Sequence, residues 1–399
     1  MTSHFLRNTQ QHVGFAALPT NRPWRVKLGM DPTAPDLHLG HAVLLRKMRE
    51  FQDAGHEGIL VVGSFTAQIG DPTGKNKTRP PLTAQEVQAN AKTYIEQAFL
   101  ILDPAKTTVV HNDAWLGNMN AASLVALMSK VTVAQVLTRE DFSKRMQANE
   151  SISMHELLYP LMQAADSVEL RADIELGGSD QWFNLHMGRT LQEKSGQPAQ
   201  ALLTMPLLVG LDGVHKMSKS LDNHIGLKSD PIDSFGRFMS VSDETMWKML
   251  PLLAIWSDEQ IEELRTACSN GLANPMQVKK DAGRDVLAML HGVQAAQDAV
   301  LAFEARHQKK AAAHEPREAL VQGGARSVVS IIKELGFADS MSDAGRKMEQ
   351  GGVRIDGEKV LDRKAELGEG QFLIEVGKRQ SCQLTLKQGA PDASLVPNL

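Results

Sequence analysis

Residues 24–63 read WRVKLGMDPTAPDLHLGHAVLLRKMREFQDAGHEGILVVG, and their patterning decides the fold. Residues 24–30 are a β-rich run and read as a strand. Residues 39–54 place Leu44, Leu45, Met48 and Phe51 at the spacing of one buried helix face. Residues 58–63 (GILVVG) form a short apolar run that fits a strand buried on both sides. Working outward, a long helix is expected over 84–102 and strands over 107–111, 174–176 and 203–209. Strand, helix, strand with continuous apolar strands implies parallel βαβ units and a doubly wound α/β sheet. The pattern turns helical from about 243 to 303. A polar, charged stretch at 306–324 (RHQKKAAAHEPREALVQGG) reads as a linker. A small α+β module follows, with strands expected in 353–360 and 371–376. The expected division is therefore 1–228 (α/β), 229–305 (helical), 306–325 (linker) and 326–399 (small module).

Composition narrows the function classes. The 399 residues are 42% hydrophobic and 23% charged, enough apolar material for a core. The 43 Lys+Arg against 47 Asp+Glu give a net charge of −4, which argues against charge-only nucleic-acid binding but not against a local basic face. Two distant cysteines, Cys268 and Cys382, exclude a disulfide scaffold or a cysteine zinc site and suit a reducing cytoplasm. The most apolar stretch, 121–137, is interrupted by Ser123, Ser129, Lys130, Thr132 and Gln135, so no membrane span is expected. The start of the chain has no signal-peptide pattern.

Several motifs carry chemistry. His38-Leu39-Gly40-His41 follows a strand and a proline-containing loop and opens a helix, where unpaired backbone N–H groups and the helix dipole favour an anion. Gly40 would let a ligand approach the backbone. About 175 residues later, Lys216-Met217-Ser218-Lys219-Ser220 sets two lysines around small hydroxyl residues in a polar loop, suited to a polyphosphate. Tyr159, Gln163 and Asp166 span an arc of about 60° on one helix face and suit a polar pocket lining. Gly74-Lys75 invites a P-loop reading, but residue 69 is Ile where the first glycine belongs and residue 76 is Asn, so the spacing rejects it. Gly177-Gly178-Ser179-Asp180-Gln181 joins a strand to a helix; Asp180 suits a ribose, and a helix N-cap by Ser179 or Asp180 explains the same residues.

Together, VKLGMDPTAPDLHLGH, IGDPTGKNKTRPPLT, LLYPLMQAADSVELRADIELGGSDQ and KMSKSLDN resemble the bacterial tyrosyl-tRNA synthetases, a class I aminoacyl-tRNA synthetase family, over roughly residues 24–386. GFADSMSDAGRKMEQGGVRIDGEKV resembles an S4 RNA-binding module. The resemblance implies a Rossmann-type catalytic domain, a helical domain and an S4-like module. It implies that His38, His41, Lys216, Lys219, Lys75 and Arg79 act on the phosphates of ATP. Asp71, Tyr159, Gln163, Asp166, Gln181 and Lys27 would hold tyrosine, with Asp166 accepting from the phenol and Tyr159, Gln163 and Asp71 on the α-ammonium. Gly29, Asp31, Thr33, Gly40, Gly178, Asp180, Met217 and Ser218 would hold the nucleotide. Arg346, Lys347 and Arg354 would contact RNA phosphates. ATP with Mg²⁺, L-tyrosine, tRNA(Tyr) and a homodimer follow from the same resemblance, with no membrane and no tightly bound protein metal. Lys27 stands where many members carry a tyrosine, Ser64 where an Asp is common, and Ala164-Ala165 where Gly-Tyr is usual. A tryptophanyl-tRNA synthetase, an RNA-binding paralogue without catalysis and a free-standing adenylyltransferase are the rival readings.

Overall fold

The computed structural model describes residues 3–71, 82–253, 255–312, 317–322, 324–377 and 380–387. The chain divides into two compact units, Met1–Leu301 and Ala302–Leu399.

The first unit is built on a six-stranded sheet. Its strands are β1 (Gln11–Val13), β2 (Arg25–Met30), β3 (Glu57–Val62), β4 (Thr107–His111), β5 (Ile174–Gly178) and β6 (Ala201–Met205), in the order β1-β6-β5-β2-β3-β4. All neighbours are parallel except β1, which runs antiparallel to β6. β5 and β6 are buried at every position, as a parallel sheet covered on both faces requires. The chain winds from β2 outward through β3 to β4, then returns to the other side of β2 with β5. The β2–β5 boundary is therefore the topological switch point, where such sheets open a crevice at the strands' carboxyl ends.

Helix α1 (Leu39–Asp53) follows β2 and buries Leu39, Val43, Leu45, Met48 and Phe51. Helix α2 (Ala84–Ala98) is capped by Thr83 and Glu86 acting reciprocally. Helix α3 (Met154–Leu170) precedes β5, and α4 (Trp182–Lys194) follows it. Pro160 lies inside α3 and cannot donate to the carbonyl four residues back, which loosens the helix next to Tyr159. Helices over Pro231–Met239, Asp243–Leu253, Asp258–Ser269 and Pro275–His291 complete the unit, so the α/β and helical parts form one compact body rather than two.

The second unit has a sheet of β7 (Arg317–Gln322), β8 (Val353–Ile355), β9 (Glu358–Lys359), β10 (Gly370–Val376) and β11 (Gln380–Lys387), in the order β9-β8-β10-β11-β7. Two helices, Val328–Glu334 and Met341–Glu349, close its core with Val328, Ile331, Ile332, Met348, Ile374 and Leu384.

Three expectations need correction. The stretch 306–325 is not a free linker: a helix runs through Ala312, and β7 pairs in parallel with β11 from Arg317 to Gln322. The strand expected over 203–209 lies over Ala201–Met205, because Pro206 has no N–H to continue the ladder. The helix expected over 84–102 ends at Ala98, and residues 99–102 turn back toward β4.

Candidate active site

A cleft of about 600 Å³ opens at the switch point. Its wall includes Gly29 and Asp31 after β2, the start of α1, the inner face of α3, Gly178 and Asp180 after β5, and the loop around Lys216.

The two histidines are first of all a helix cap. The backbone N–H of Gly40 donates to His38 Nδ1 at 3.1 Å, and the N–H of His38 donates to His41 Nδ1 at 3.2 Å. This reciprocal arrangement satisfies two N–H groups at the start of α1. It also fixes the tautomer: with Nδ1 accepting, a neutral ring carries its proton on Nε2. Burial, then the neighbouring His41, holds His38 down to about 2, and burial with Lys219 holds His41 down to about 4. Both rings are therefore neutral N–H donors at pH 7. A Cβ on Gly40 would stand 2.9 Å from the His38 ring, so glycine here makes room for the cap itself.

The lysine loop is stitched to this cap through the backbone. Leu39 N–H donates to Ile225 O and Leu227 N–H to Leu37 O, both at 2.9 Å. Within the loop, buried Asn223 accepts from Ser218 N–H at 2.8 Å and donates to Asp212 at 3.0 Å and to Lys216 O at 3.2 Å. Met217 is buried, whereas Lys216 is half exposed and pairs with Asp180 at 3.2 Å. Lys219 lies 4.0 Å from Asp36, and burial lowers its pKa.

At the opposite end the side chains are acidic and enclosed. Asp31 accepts from Thr66 Oγ1 at 2.6 Å and from the Tyr159 hydroxyl at 2.9 Å; burial outweighs these bonds and pushes it up to about 7. A Cβ on Gly63 would stand 1.9 Å from Asp31 Oδ1, so only glycine admits this carboxylate. Asp166 is buried and accepts from Trp115 Nε1 at 2.9 Å and Asn112 Nδ2 at 3.2 Å; burial raises it to about 6. Asp71 takes Arg139 Nη2 at 3.1 Å on one oxygen and Gln181 Nε2 at 2.8 Å on the other. Arg139 is itself buried and also meets Asp141 at 2.9 Å and Asn184 at 3.1 Å.

Of the residues singled out in the sequence, Gly29, Asp31, Thr33, His38, Gly40, His41, Asp71, Tyr159, Gln163, Asp166, Gly178, Asp180, Gln181, Lys216, Met217 and Ser218 all line this one cleft. Lys27 does not. It is fully buried on the α3 side of β2, and its amine binds Glu175 at 3.0 Å instead of facing the cleft. Lys75 and Arg79 lie outside the described residues. In the second unit Arg346 is exposed and pairs with Asp343 at 3.4 Å, and Arg354 is exposed on β8. Lys347 commits its amine to Phe337 O at 2.8 Å and to Asp343 at 2.9 Å. Ser64 donates to Asp113 at 2.7 Å, and Ala164 and Ala165 are buried where α3 packs. Sequence reasoning missed Asn112, Trp115, Arg139 and Asn223. Only Asn223 had a signal, as the last residue of KMSKSLDN. Among the described residues, no group of three or more His, Cys, Asp or Glu is placed to hold a metal ion.

Fold and cleft together define a class I aminoacyl-tRNA synthetase, and residues 19–308 match the family described as tRNA synthetases class I (W and Y). The chain is 47% identical over 367 residues to the tyrosine–tRNA ligase of Bordetella pertussis, covering 92% of this chain and 90% of that one. It is 49% identical over 372 residues to the tyrosine–tRNA ligase of Thiobacillus denitrificans, covering 92% and 94%. The chain belongs to the bacterial tyrosine–tRNA ligases within that class. Solved structures share the fold at lower identity. The truncated mitochondrial tyrosyl-tRNA synthetase of Aspergillus nidulans has a TM-score of 0.64 at 18% identity, covering 76% of this chain and 92% of that one. The tyrosyl-tRNA synthetase of Archaeoglobus fulgidus, complexed with L-tyrosine, has a TM-score of 0.59 at 22% identity, covering 74% and 97%.

Proposed function

We propose that the cleft activates L-tyrosine with ATP and passes the tyrosyl group to tRNA(Tyr). The observation that carries this reading is Asp166. It is a buried carboxylate oriented by Asn112 and Trp115, in the same cleft whose other end holds the two histidines and Lys216. A tyrosine whose phenol donates to Asp166 has its α-ammonium near Tyr159, Gln163 and Asp71. Arg139 and Gln181, already on Asp71, fix that carboxylate for the ammonium.

The substrate carboxylate then attacks the α-phosphorus of ATP in line, and pyrophosphate leaves with the bond's electron pair. No side chain acts as nucleophile; the chain supplies position and electrostatics. His38 and His41 donate neutral Nε2–H groups to phosphate oxygens. Asp180 exchanges Lys216 for the ribose hydroxyls, which frees Lys216 to follow the charge that develops on the pyrophosphate. Lys219, Lys75 and Arg79 add positive charge. Mg²⁺ accompanying ATP would be held mainly by the phosphates and would neutralise part of their charge. In the second step the 3′-terminal ribose hydroxyl attacks the adenylate carbonyl and AMP leaves. Arg346 and Arg354 contact tRNA phosphates, and Lys347 supports the helix that carries Arg346.

The chain works as a homodimer in the cytoplasm. Exposed Val125, Met128 and Val133 on the helices between β4 and α3 supply apolar surface for a second copy. Both cysteines are free, which suits a reducing compartment. Among the described residues no helix is long and apolar enough to cross a membrane.

ATP–pyrophosphate exchange without tRNA, offered tyrosine, phenylalanine and tryptophan separately, tests the first step. Exchange with tyrosine alone is expected. Exchange with tryptophan would move the substrate to the sister enzyme, and exchange with none would overturn the reading.

A further inference from the structure

Behind the cleft lies a closed polar network that the reaction as described does not use. Lys27 on β2 and Glu175 on β5 are direct neighbours across two central parallel strands, and their side chains are 0% and 1% exposed. Lys27 spends its three N–H donors on Glu175 Oε1 at 3.0 Å, Ser167 Oγ at 2.8 Å and the main-chain carbonyl of Gln163 at 3.1 Å. Glu175 Oε1 also accepts from Gln163 Nε2 at 3.2 Å, while Oε2 accepts from Ser167 Oγ at 3.0 Å and from Gln200. Lys27 thus grips Gln163 by its backbone, and Glu175 grips it by its side chain.

We infer that the Lys27–Glu175 pair is a positioning device that sets which end of the Gln163 amide faces the substrate. A carboxylate paired with a lysine has no proton to give, so only the NH₂ end of Gln163 can lie against it. The carbonyl oxygen of Gln163 is then turned to the cleft that Gln163 lines, as an acceptor. An acceptor suits an ammonium; an NH₂ group there would repel it. Isolated charges are costly in such a dry place, and a buried pair is retained more readily for a specific arrangement than for stability. The inference rests on Gln163 holding the α-ammonium.

The test is a mutant cycle on the full chain, read by ATP–pyrophosphate exchange with tyrosine and ATP varied in turn. Lys27→Met/Glu175→Met removes the pair while keeping volume, so the core is retained. Glu175→Asp keeps the charge but withdraws the carboxylate by one methylene, and serves if the double variant does not fold. Gln163→Ala is the reference. The expected result is a rise in the KM for tyrosine of about tenfold in Lys27→Met/Glu175→Met, with kcat and the KM for ATP within about twofold. Glu175→Asp should move the same constant by less. In a Gln163→Ala background, removing the pair should have no further effect on that KM. If Gln163→Ala raises the KM but removing the pair does not, or adds its full effect on top, the positioning role is overturned. If Gln163→Ala leaves the KM unchanged, the ammonium role fails and takes the inference with it. A general loss of kcat with both KM values rising together would mark the pair as structural only.

Discussion

At the amino-acid end of the cleft, Tyr159 is held by its bond to Asp31 and Asp166 by bonds from Asn112 and Trp115, and the Lys27–Glu175 network lies behind them; the structure thus ties Asp31, expected among the nucleotide residues, to the tyrosine side. At the nucleotide end, Lys216 is half exposed and its loop turns on one asparagine. The first region is enclosed and acidic; the second is basic and leaves Lys216 half exposed on a loop anchored through its backbone. The difference matches the work proposed for each. Reading a single hydroxyl needs an acceptor that cannot re-orient, because discrimination comes from leaving a buried group unpaired when the hydroxyl is missing. Stabilising charge that appears only during reaction needs cations free to follow it.

Substitutions at the two ends should have separable effects. Lys216→Ala should slow adenylate formation by about 10²–10³-fold with tyrosine affinity within about twofold, measured by rapid-quench kinetics and equilibrium binding. Equal losses in both would deny the loop its role in the transition state. Asp166→Ala should do the reverse, weakening tyrosine binding by about 30- to 100-fold, the worth of a hydrogen bond to a charged group. In the unaltered chain the KM for tyrosine should rise as pH falls through about 6, where Asp166 gains a proton and loses its acceptor character. That dependence should be absent in Asp166→Ala.

Asn223→Ala probes the nucleotide end directly. It removes the bonds to Ser218, Asp212 and Lys216 O at once, and should cut the exchange rate about tenfold without changing the KM for tyrosine. The smallest effect is on stability. Asp31 keeps its proton up to about pH 7 in the folded chain, whereas an unfolded chain releases it near 3.8. The folded state therefore binds more protons between those values, and stability falls as pH rises through that window. Asp31→Asn should raise Tm by about 2–4 °C at pH 8, with the gain vanishing near pH 4, while activity drops. A lower Tm at pH 8 would show that the carboxylate is stabilising rather than tolerated.

The contrast also explains what the sequence disclosed. α1 carries a helical period and β2 and β3 are short β-rich or apolar runs, and all three were legible within a residue or two. The nucleotide end is written in two short contiguous motifs, so its residues could be named. The amino-acid end depends on residues scattered over β2, α3, β5 and the segment after β4, joined only by the fold. Asn112, Trp115 and Arg139 sit in no motif, and nothing in their neighbours announces them. Lys27 was assigned to the pocket by the family resemblance, because it stands where many members carry a tyrosine; its partner Glu175 is set by the β2–β5 register, visible only once the strands are paired. β1, β7 and β11 went unnoticed because short or polar strands owe their state to the partner rather than to intrinsic preference.

The stitch between residues 37–39 and 225–227 has one more consequence. Two hydrogen bonds there close a loop of nearly 190 residues, so the spacing of the histidine and lysine motifs in space does not depend on their spacing along the chain. Closure entropy grows only with the logarithm of loop length. Segments inserted at surface turns between the motifs would therefore leave the nucleotide end in register. In engineering terms the stitch is a fixed joint, and surface turns between the motifs can be lengthened around it while the sheet and the cleft residues keep their places.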